Sequence, residues 1–461
     1  MTSSSTLTGV MVGAAVGDAL GAPFEFKPAG TYRRNFPNAE LGGGGEMIGG
    51  GTFRWAPGEF TDDTQMGLIL ASSLIDNDHE LDEFDLFSRW KVWAKSASDV
   101  GNTTRHALSF DDPSEVVFSN PEMAAGNGAL MRTFPLALIN CDEDARRAMV
   151  LAQAALTHHN PDAGWGAWLA VATIRGFLEG EDGFEVLAEE LTNLPVESRE
   201  RFAPLLAREW QPTDKTVGNG SVWGCLADAI WAVRGARSFE DAIVRAIDLG
   251  GDADTVASVA GAIAGARFTE QAIPGRWLAY VHGKLTNPDG TTEMVRVEDL
   301  ENIARELSGL DVPKPELEPE RGPIEVHPGL YAANRNAARK CPDDWAILSL
   351  CRTERMFLGH PTRRQWYMVD NSSGNPDLGS AIDDIVRSID ALLSDGKTVL
   401  VHCEGGRSRT CLALRAWAMK SLGLTTREAQ AWLAKKWPHC SEANSSFTDF
   451  LASEWASRRS T

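Results

Sequence analysis

The chain has 461 residues, of which 43% are hydrophobic and 23% charged, so it is long enough for two or three soluble domains with apolar cores. Its formal net charge of −20 and pI near 4.9 argue against nucleic acid or a membrane surface as a partner, because both favour a basic surface. The seven cysteines are scattered without a CxxC pair, which indicates reduced thiols and a cytoplasmic protein.

The N-terminal segment predicts a tightly packed helix. Gly9, Gly13, Gly17 and Gly21 recur every fourth residue in an apolar segment, and on a helix they form a stripe that lets another backbone approach closely. Asp18 interrupts this apolar run, so neither a signal peptide nor a membrane span is predicted. We interpret Asp18 as a buried carboxylate held by hydrogen bonds.

Two acidic stretches each precede an apolar helical pattern. Each stretch supplies two aspartates and a threonine, whereas a helix cap needs only one acidic residue. Four carboxylates brought together repel one another and require a cation, and all-oxygen ligands suit Mg²⁺, Mn²⁺ or Ca²⁺. Taken singly, each stretch also fits an ordinary helix N-terminus. The predicted ligands are Thr61, Asp62, Asp63, Asp252, Asp254 and Thr255.

Helical periodicity dominates the sequence before residue 320, and strand-like alternation is nearly absent. We therefore predict an all-α first domain over residues 1–308. Residues 38–60 are Gly-rich and lack an apolar period, so they are expected to form a loop. The predicted helices cover 66–76, 82–97, 143–156, 163–178, 184–193, 222–234, 239–248, 255–267 and 297–307.

Five motifs occur in the order found in the ADP-ribosylglycohydrolase family, which this part of the chain resembles. The resemblance implies a hydrolase that removes ADP-ribose from a modified protein or a small ADP-ribosyl conjugate through an oxocarbenium-like transition state. It also implies that the six predicted ligands hold two Mg²⁺ ions, with Mn²⁺ as an alternative. The motifs are Gly17–Gly21, Thr61–Thr64, Gly126–Arg132, Thr157-His158 and Gly250–Thr255.

The resemblance further implies roles in catalysis and substrate binding. Asp62 and Asp254 are expected to take part in catalysis, and the sequence leaves open which aspartate assists the attacking water. Glu25 corresponds to a mobile glutamate over the metals in some family members. The other residues expected to line the ADP-ribose cleft are Gly126, Asn127, Gly128 and His158.

Alternatives remain open for part of this cleft. From the residues alone, Gly126–Gly128 also fits a simple turn, and His158 also fits a contact at a helix end. Residues 218–221 read Gly-Asn-Gly-Ser, where several family members carry a Gly-Tyr pair. This departure leaves the substrate preference open.

The pattern changes after residue 308. Residues 309–323 are rich in proline and glutamate and predict a stiff, extended linker. Strands and helices then alternate, so we predict a smaller α/β domain over residues 324–461. The predicted strands are Trp345–Leu350, Gln365–Val369 and Thr398–His402, and the predicted helices are 378–394, 410–422, 426–437 and 445–456.

The segment from Cys403 to Thr410 joins the last predicted strand to a helix. A cysteine is followed by five residues and Arg409, so backbone N–H groups at a helix N-terminus are expected to bind an anion and to favour the Cys403 thiolate. The alternative is a buried structural cysteine. The other predicted phosphate-binding residues are Gly405, Gly406, Arg407, Ser408 and Thr410.

This loop resembles the phosphate loop of the dual-specificity branch of the protein tyrosine phosphatases. The resemblance implies that Cys403 is the nucleophile and that Arg409 binds the phosphate of a phosphorylated substrate. It also implies a general acid, for which Asp370 is the first choice and Asp377 the alternative.

The sequence thus predicts a two-domain enzyme whose partners include neither nucleic acid nor membrane. The alternatives are a non-catalytic binding protein for ADP-ribose and phosphate, and a protein in which only one domain is active. Release of ADP-ribose from a modified protein in the presence of Mg²⁺ discriminates between a hydrolase and a binding protein.

Overall fold

The structure is a computed structural model that describes residues 4–458 except 41–44, 120–123, 215–216, 311–318, 352, 354–356, 358–359, 367, 369, 371, 373–374, 376–377 and 443. Backbone contacts divide the chain into two units, residues 1–38, 46–273 and 280–313, and residues 39–45, 274–279 and 314–461. As predicted, a mostly helical domain precedes a smaller α/β domain.

Helices form most of the chain up to residue 307. The nine helices predicted from apolar periods are present with bounds within a few residues, except that α3 begins earlier because Asp62 and Asp63 form its first turn. The short helices α2, α5 and α14 were not predicted. The helices are α1 (Ser4–Gly21), α2 (Thr31–Asn35), α3 (Asp62–Asp76), α4 (Glu83–Ala94), α5 (Asn102–Ala107), α6 (Gly128–Met131), α7 (Glu143–Ala155), α8 (Pro161–Glu179), α9 (Gly183–Asn193), α10 (Val196–Leu206), α11 (Val222–Arg234), α12 (Phe239–Ile247), α13 (Ala253–Phe268), α14 (Gly275–Leu278) and α15 (Val297–Leu307).

The expectation of almost no strand before residue 320 was wrong at one place. β1 (His282–Thr286) and β2 (Thr292–Arg296) form an antiparallel hairpin. Both strands carry polar, partly exposed side chains, so they lack the apolar alternation that signals a strand. Helix α10 was also missed, and it contains Pro204 in its interior, a residue that normally interrupts a helical pattern.

The predicted glycine stripe packs α1 directly against α13. A Cβ atom at Gly17 would lie 1.9 Å from the carbonyl oxygen of Ala257, and one at Gly13 would lie 2.3 Å from that of Gly261. The two helix backbones therefore touch, and any side chain at these positions would separate them. Asp254 lies in the first turn of α13. The contact between the two helices therefore fixes the position of this acidic stretch along the axis of α1.

The α/β domain contains a five-stranded sheet in the order β3–β4–β7–β5–β6. β3 is antiparallel to β4, and the other neighbours are parallel. The strands are β3 (Ile324–His327), β4 (Leu330–Asn334), β5 (Ala346–Ser349), β6 (Arg363–Gln365) and β7 (Val399–Cys403), and the helices are α16 (Arg335–Ala338), α17 (Leu378–Ser394), α18 (Arg409–Ser421), α19 (Thr426–Lys436), α20 (Ser445–Phe450) and α21 (Ala456–Arg458).

Several predicted bounds in this domain need correction. Strands β3 and β4 were not predicted. The strand expected over Gln365–Val369 lies earlier, since β6 ends at Gln365 and Trp366 follows it outside the strand. A π-helical turn, Leu451–Trp455, interrupts the last predicted helix. The central strand β7 is fully buried, as its continuous apolar run suggested, and it delivers Cys403 to the carboxyl edge of the sheet.

In the described part of the chain, one stretch, Ser5–Phe24, is long and apolar enough to cross a membrane. It is entirely buried within the protein, where its length and apolar composition serve the packing of α1.

Candidate active sites

Asp18 anchors the start of α3. Its carboxylate accepts hydrogen bonds from the backbone N–H groups of Thr61 at 3.0 Å and Thr64 at 3.1 Å, and from the Thr64 hydroxyl at 2.6 Å. Burial raises the pKa of Asp18 to about 6, against the lowering effect of these bonds. The interpretation of Asp18 as a hydrogen-bonded buried carboxylate is confirmed, and its effect is to position the first turn of α3.

The first turns of α3 and α13 meet at a cavity of about 400 Å³. Asp62, Asp63 and Asp254 line it, and oxygen atoms of Glu25, Asp252 and Asp254 lie within 4.8 Å of one another. The two acidic stretches, far apart in sequence, are therefore neighbours in the fold, and Glu25 joins them.

The two predicted threonine ligands both lie beside one carboxylate. The hydroxyl of Thr61 donates to Oδ2 of Asp63 at 3.3 Å, and that of Thr255 donates to the same oxygen at 3.4 Å. Thr61 is fully buried, whereas Thr255 lines the cavity. These bonds orient the Asp63 carboxylate so that one of its oxygens is held and the other is not.

The acidic cluster is electrostatically costly without a cation. Burial, and then the charges of neighbouring carboxylates, raise the pKa values of Asp62, Asp63 and Asp254 well above their ordinary range. The same causes raise the pKa of Glu25 to about 8. Among the described residues, Oε2 of Glu25 and Oδ1 of Asp63 are buried without a hydrogen-bond partner. Buried, unpartnered carboxylate oxygens at an all-oxygen cluster fit a hard divalent cation.

The Gly250-Gly251 pair brings Glu25 and Asp252 together. Both glycines have a φ of +69°, and a Cβ atom at Gly250 would lie 2.5 Å from the carbonyl oxygen of Lys27. The backbone N–H of Phe26 donates to the Gly251 carbonyl at 2.6 Å. The segment that carries Glu25 is thereby tied to the loop that precedes α13.

Asn219, in the segment Gly218–Ser221 that left the substrate preference open, organises this loop. Its amide oxygen accepts from the backbone N–H of Asp252 at 3.1 Å, and its amide nitrogen donates to Asp228 at 3.2 Å and to the Gly250 carbonyl at 2.9 Å. Asn127 donates to Oδ2 of Asp252 at 2.8 Å and to the Asn219 carbonyl at 3.1 Å. The two asparagines therefore fix the position of Asp252.

Gly126, Gly128 and His158 form another wall of the cavity. A Cβ atom at Gly128 would lie 3.0 Å from Cε1 of the His158 ring, and one at Gly126 would lie 3.4 Å from Nε2. The ring packs edge-on against this backbone, and a side chain at Gly128 would displace the ring by a few tenths of an ångström. The structure thus places the predicted cleft residues Glu25, Gly126, Asn127, Gly128 and His158 around one cavity with the acidic cluster.

Sequence reasoning missed Asp99 and Arg105, which also line the cavity. Burial, and then the charge of Asp252, raise the pKa of Asp99 to about 6, while the Val100 backbone and the Arg105 charge oppose the rise. Asp99 lies in a polar stretch after α4 that has no periodic pattern. Only its spacing after a helix end could have drawn attention to it.

In the α/β domain, Cys403 ends β7 and Arg409 begins α18, so the predicted phosphate loop lies between a buried strand and a helix N-terminus. Cys403 is buried, and Gly406 has a φ of +69°. The hydroxyls of Ser408 and Thr410 are buried with no hydrogen-bond partner among the described residues. Gly405 and Arg407 are half-buried members of the same loop.

Contacts from outside the loop hold its carbonyl groups. Arg321 Nη1 donates to the Gly405 carbonyl at 3.0 Å, Trp437 Nε1 donates to the Gly406 carbonyl at 2.8 Å, and the backbone N–H of Arg335 donates to the Glu404 carbonyl at 3.1 Å. Because residues outside the loop donate hydrogen bonds to these carbonyl groups, the backbone conformation of the loop is stabilised. None of these three supporting residues was predicted.

Asp370 lies near Arg409. Its Oδ1 is 3.8 Å from Nε of Arg409, whose Nη1 donates to the Met368 carbonyl at 2.7 Å. The Asp370 side chain is 54% exposed, which leaves it accessible to a substrate. The alternative acid, Asp377, lies outside the described residues.

The structure therefore contains two candidate active sites, an acidic cleft in a helical domain and a cysteine–arginine loop in an α/β domain. The chain belongs to the ADP-ribosylglycohydrolase family, whose profile matches residues 2–316. The profile of the dual specificity phosphatase catalytic domain matches residues 346–454. Both matches agree with the predicted resemblances, and they make the protein a hydrolase.

Two curated relatives resemble the first part of the chain. The ADP-ribosylarginine hydrolase Tri1 of Serratia proteamaculans is 33% identical over 313 residues, which is 65% of this chain and 78% of the relative. The ADP-ribosyl-[dinitrogen reductase] glycohydrolase of Rhodospirillum rubrum is 33% identical over 283 residues, which is 60% of this chain and 90% of the relative. A solved structure described as an ADP-ribosylglycohydrolase-related protein complex is 32% identical, covers 67% of this chain and 98% of its own, and has a TM-score of 0.53.

Proposed function

We propose that the helical domain hydrolyses the N-glycosidic bond between ADP-ribose and an arginine side chain of a modified protein. The observation that carries the proposal is the cavity that joins the acidic cluster to the wall formed by Gly126, Gly128 and His158. The name of the Serratia proteamaculans relative supports arginine as the acceptor, and the name of the Rhodospirillum rubrum relative supports a protein as the bearer of the ADP-ribose.

Asp62, Asp63, Asp252 and Asp254, with Thr61, Thr255 and Glu25 beside them, are the residues that would hold divalent cations. Mg²⁺ is the proposed ion, in two copies, with Mn²⁺ as the alternative. When bound, such ions neutralise the cluster and lower the pKa of a coordinated water.

The chain's own residues suit the remaining steps. A carboxylate of the cluster takes a proton from the water that attacks the anomeric carbon, and Glu25 suits this task because its Oε2 is buried without a hydrogen-bond partner among the described residues. As the new C–O bond forms, the C–N bond breaks. The leaving guanidinium already carries a positive charge, so it departs as neutral guanidine and then takes up the proton. Asn127 fixes Asp252 during this step.

A release assay tests this proposal. Protein bearing ADP-ribose on arginine should lose it in Mg²⁺, and Asp254→Asn should abolish the release. Asp144→Asn is the matched control, because Asp144 is an exposed partner of Arg147 on α7. Protein modified on serine, tested in parallel, should react more slowly. Equal or faster release from serine would contradict the arginine assignment, and no release from either would contradict hydrolysis.

We propose a second activity, cysteine-dependent phosphatase chemistry, for the α/β domain. The observation that favours it is the loop from Cys403 to Arg409, whose carbonyl groups are held from outside by Arg321 and Trp437. Cys403 would attack the phosphorus atom, Arg409 and the loop amides would stabilise the equatorial oxygens, and Asp370 would protonate the leaving oxygen. A phosphorylated substrate is the partner proposed for this site.

We further propose that the protein acts in the cytoplasm, because all seven cysteines are free thiols. Fractionation of cells that express the full chain tests this, and recovery in an oxidising compartment would contradict it.

A further inference from the structure

A second pocket of the helical domain lies apart from the acidic cleft. It has a volume of about 390 Å³ between the end of α10, helix α11 and helix α12, and it shares no lining residue with the cleft. Its charged and aromatic lining residues are Arg208, Trp210, Trp231, Arg234 and Arg245, and we call it the arginine pocket. No carboxylate is among the described residues that line it, although the whole chain has a formal net charge of −20. Positive charge concentrated in so acidic a protein favours an anionic occupant.

Two of the three guanidinium groups are held in place by neutral partners. Nη1 of Arg234 donates to the Leu206 carbonyl at 3.2 Å. Nε of Arg245 donates to the Ala232 carbonyl at 3.1 Å, and its guanidinium carbon lies 4.1 Å from the centre of the Trp231 ring. These contacts fix the two groups without cancelling their charges. An anion can therefore bind to them with little loss of conformational entropy.

Ion pairs do not neutralise the arginine pocket. Among the described residues, none of Arg208, Arg234 and Arg245 forms an ion pair with a carboxylate. The acidic residues whose charges reach Arg234 and Arg245 are Asp182, which caps α9, and Asp241, in the first turn of α12. Each of these two carboxylates accepts a backbone N–H group instead. The positive charge of the pocket is thus available to a ligand.

Two indole rings supply the rest of the recognition surface. Trp231 is half-buried, and its Nε1 donates to Oε1 of Gln211 at 3.1 Å, which fixes the ring. Trp210 is 9% exposed, and its Nε1 is buried with no hydrogen-bond partner among the described residues. Because a buried donor without an acceptor is unfavourable, an acceptor atom of a ligand would stabilise it.

We propose that the arginine pocket is a second binding site, which takes a nucleoside monophosphate. Guanidinium groups bind the oxygen atoms of a phosphate in pairs, and indole rings stack on a planar base. A volume of about 390 Å³ is in the range of sites for small ligands and suits one nucleotide unit. Binding here does not require the reaction proposed for either active site.

Photolabelling of the full chain tests the site. The probe is 8-azidoadenosine monophosphate, and the parent protein is Cys403→Ser, so that phosphatase chemistry cannot consume the probe. Mass spectrometry of the digested protein locates the label. We expect label on Leu205–Gln211 or on α11, and AMP should prevent it. Adenosine and inorganic phosphate, each at the concentration of AMP, should prevent it much less, because the pocket binds the base and the phosphate together.

Variants of the parent identify the contacts. Arg208→Gln should raise the AMP concentration for half-maximal protection roughly tenfold, the effect of one charged hydrogen bond. Trp210→Phe keeps an aromatic ring but removes the N–H group, and it should raise this concentration about fivefold. Arg199→Gln is the matched control, because Arg199 is also on α10 but donates to the Thr192 carbonyl at 3.3 Å and does not line the pocket.

Three results would overturn the proposal. The first is that both segments stay unlabelled, or that AMP does not prevent their labelling. The second is that inorganic phosphate protects as fully as AMP, which would make the pocket a site for an adventitious anion only. The third is that Arg208→Gln and Trp210→Phe need no more AMP than Arg199→Gln. Because Arg208 is exposed, its substitution leaves the packing of the domain intact and the comparison can be made.

Discussion

The hydroxyl of Thr157 connects Arg132 to His158. It accepts a 2.7 Å hydrogen bond from Nη2 of Arg132 and lies 2.8 Å from Nδ1 of His158. We infer that the hydroxyl donates its own hydrogen to Nδ1, which would leave the ring hydrogen on Nε2. Burial, and then the Arg132 charge, lower the pKa of His158 to about 3, so the ring is neutral at physiological pH.

Thr157→Val should remove the hydrogen bond that favours this tautomer of the His158 ring. We expect the ¹⁵N signals of His158 to shift toward a mixture of tautomers, and KM for the ADP-ribosylated protein to rise roughly tenfold, the value of about one hydrogen bond, with kcat nearly unchanged. Thr157→Ser keeps the hydroxyl and should behave as wild type. Unchanged ¹⁵N signals in the valine variant would show that the hydroxyl does not set the tautomer.

Gly17→Ala should destabilise the helical domain. The added Cβ would lie 1.9 Å from the Ala257 carbonyl oxygen, so α1 and α13 must separate, at a cost of about 2 kcal/mol or more in the free energy of unfolding. Gly218→Ala is the control, because its Cβ would meet no atom within 4 Å. Denaturant unfolding measures both, and equal midpoints would contradict direct backbone contact between the helices.

Asp254→Asn should change stability in opposite directions with and without cations. In EDTA the variant should melt a few degrees above wild type, because one of several buried like charges is removed. In Mg²⁺ the wild type should gain stability and the variant much less. Thermal unfolding at both conditions, with Asp144→Asn as control, decides this. The same Mg²⁺ gain in both proteins would remove Asp254 from the ligand set.

The three phosphatase residues should fail in different ways on an aryl phosphate in EDTA. Cys403→Ser should lose turnover but keep binding of a phosphate ester, because the loop amides remain. Arg409→Ala should lose both. Asp370→Ala should slow turnover by about 10²-fold, and less when the leaving group is a weak base. Turnover by the wild type in the presence of EDTA is required, and its absence would leave the loop a binding site only.

A chain that ends near Gly309 should be soluble and keep its metal-dependent hydrolase activity, if the predicted boundary is correct. The release assay measures this, and an insoluble or inactive fragment would contradict the boundary.

A fragment of residues 319–461 should turn over an aryl phosphate, whereas residues 324–461 should not. The difference arises because Pro319 and Arg321 bond to Asn334, and Arg321 also holds Gly405. Equal activity of the two fragments would show that residues 319–323 are a linker only.

Sequence patterns predicted the helices that have one apolar face. They did not predict the elements and residues whose positions depend on tertiary contacts. Helices α11 and α15 have the predicted bounds because apolar residues recur along each with helical spacing. The hairpin β1–β2 carries no such signal. The acidic stretches could be recognised as ligand-like, but the approach of Glu25 depends on the Phe26–Gly251 hydrogen bond, which no local pattern encodes.

The same limit applies to the supporting residues. Asn219 could be seen only as a departure from relatives, whereas the fold shows it bonded to the backbone of Asp252 and Gly250. Arg321 lies in a stretch predicted to be a plain linker, yet it contacts the phosphate loop. Such residues act through neighbours that are distant in sequence, so the residue type alone does not predict the role.

The contact between α1 and α13 also limits how early the helical domain can fold during synthesis. The ribosome releases α1 first, but its partner surface at Gly261 and Gly265 emerges only after most of the domain has been synthesised. At typical elongation rates this interval lasts roughly ten to fifty seconds. During it the nascent chain exposes a segment apolar enough to cross a membrane. Folding of this domain should therefore depend on a chaperone that covers α1 until α13 has been synthesised.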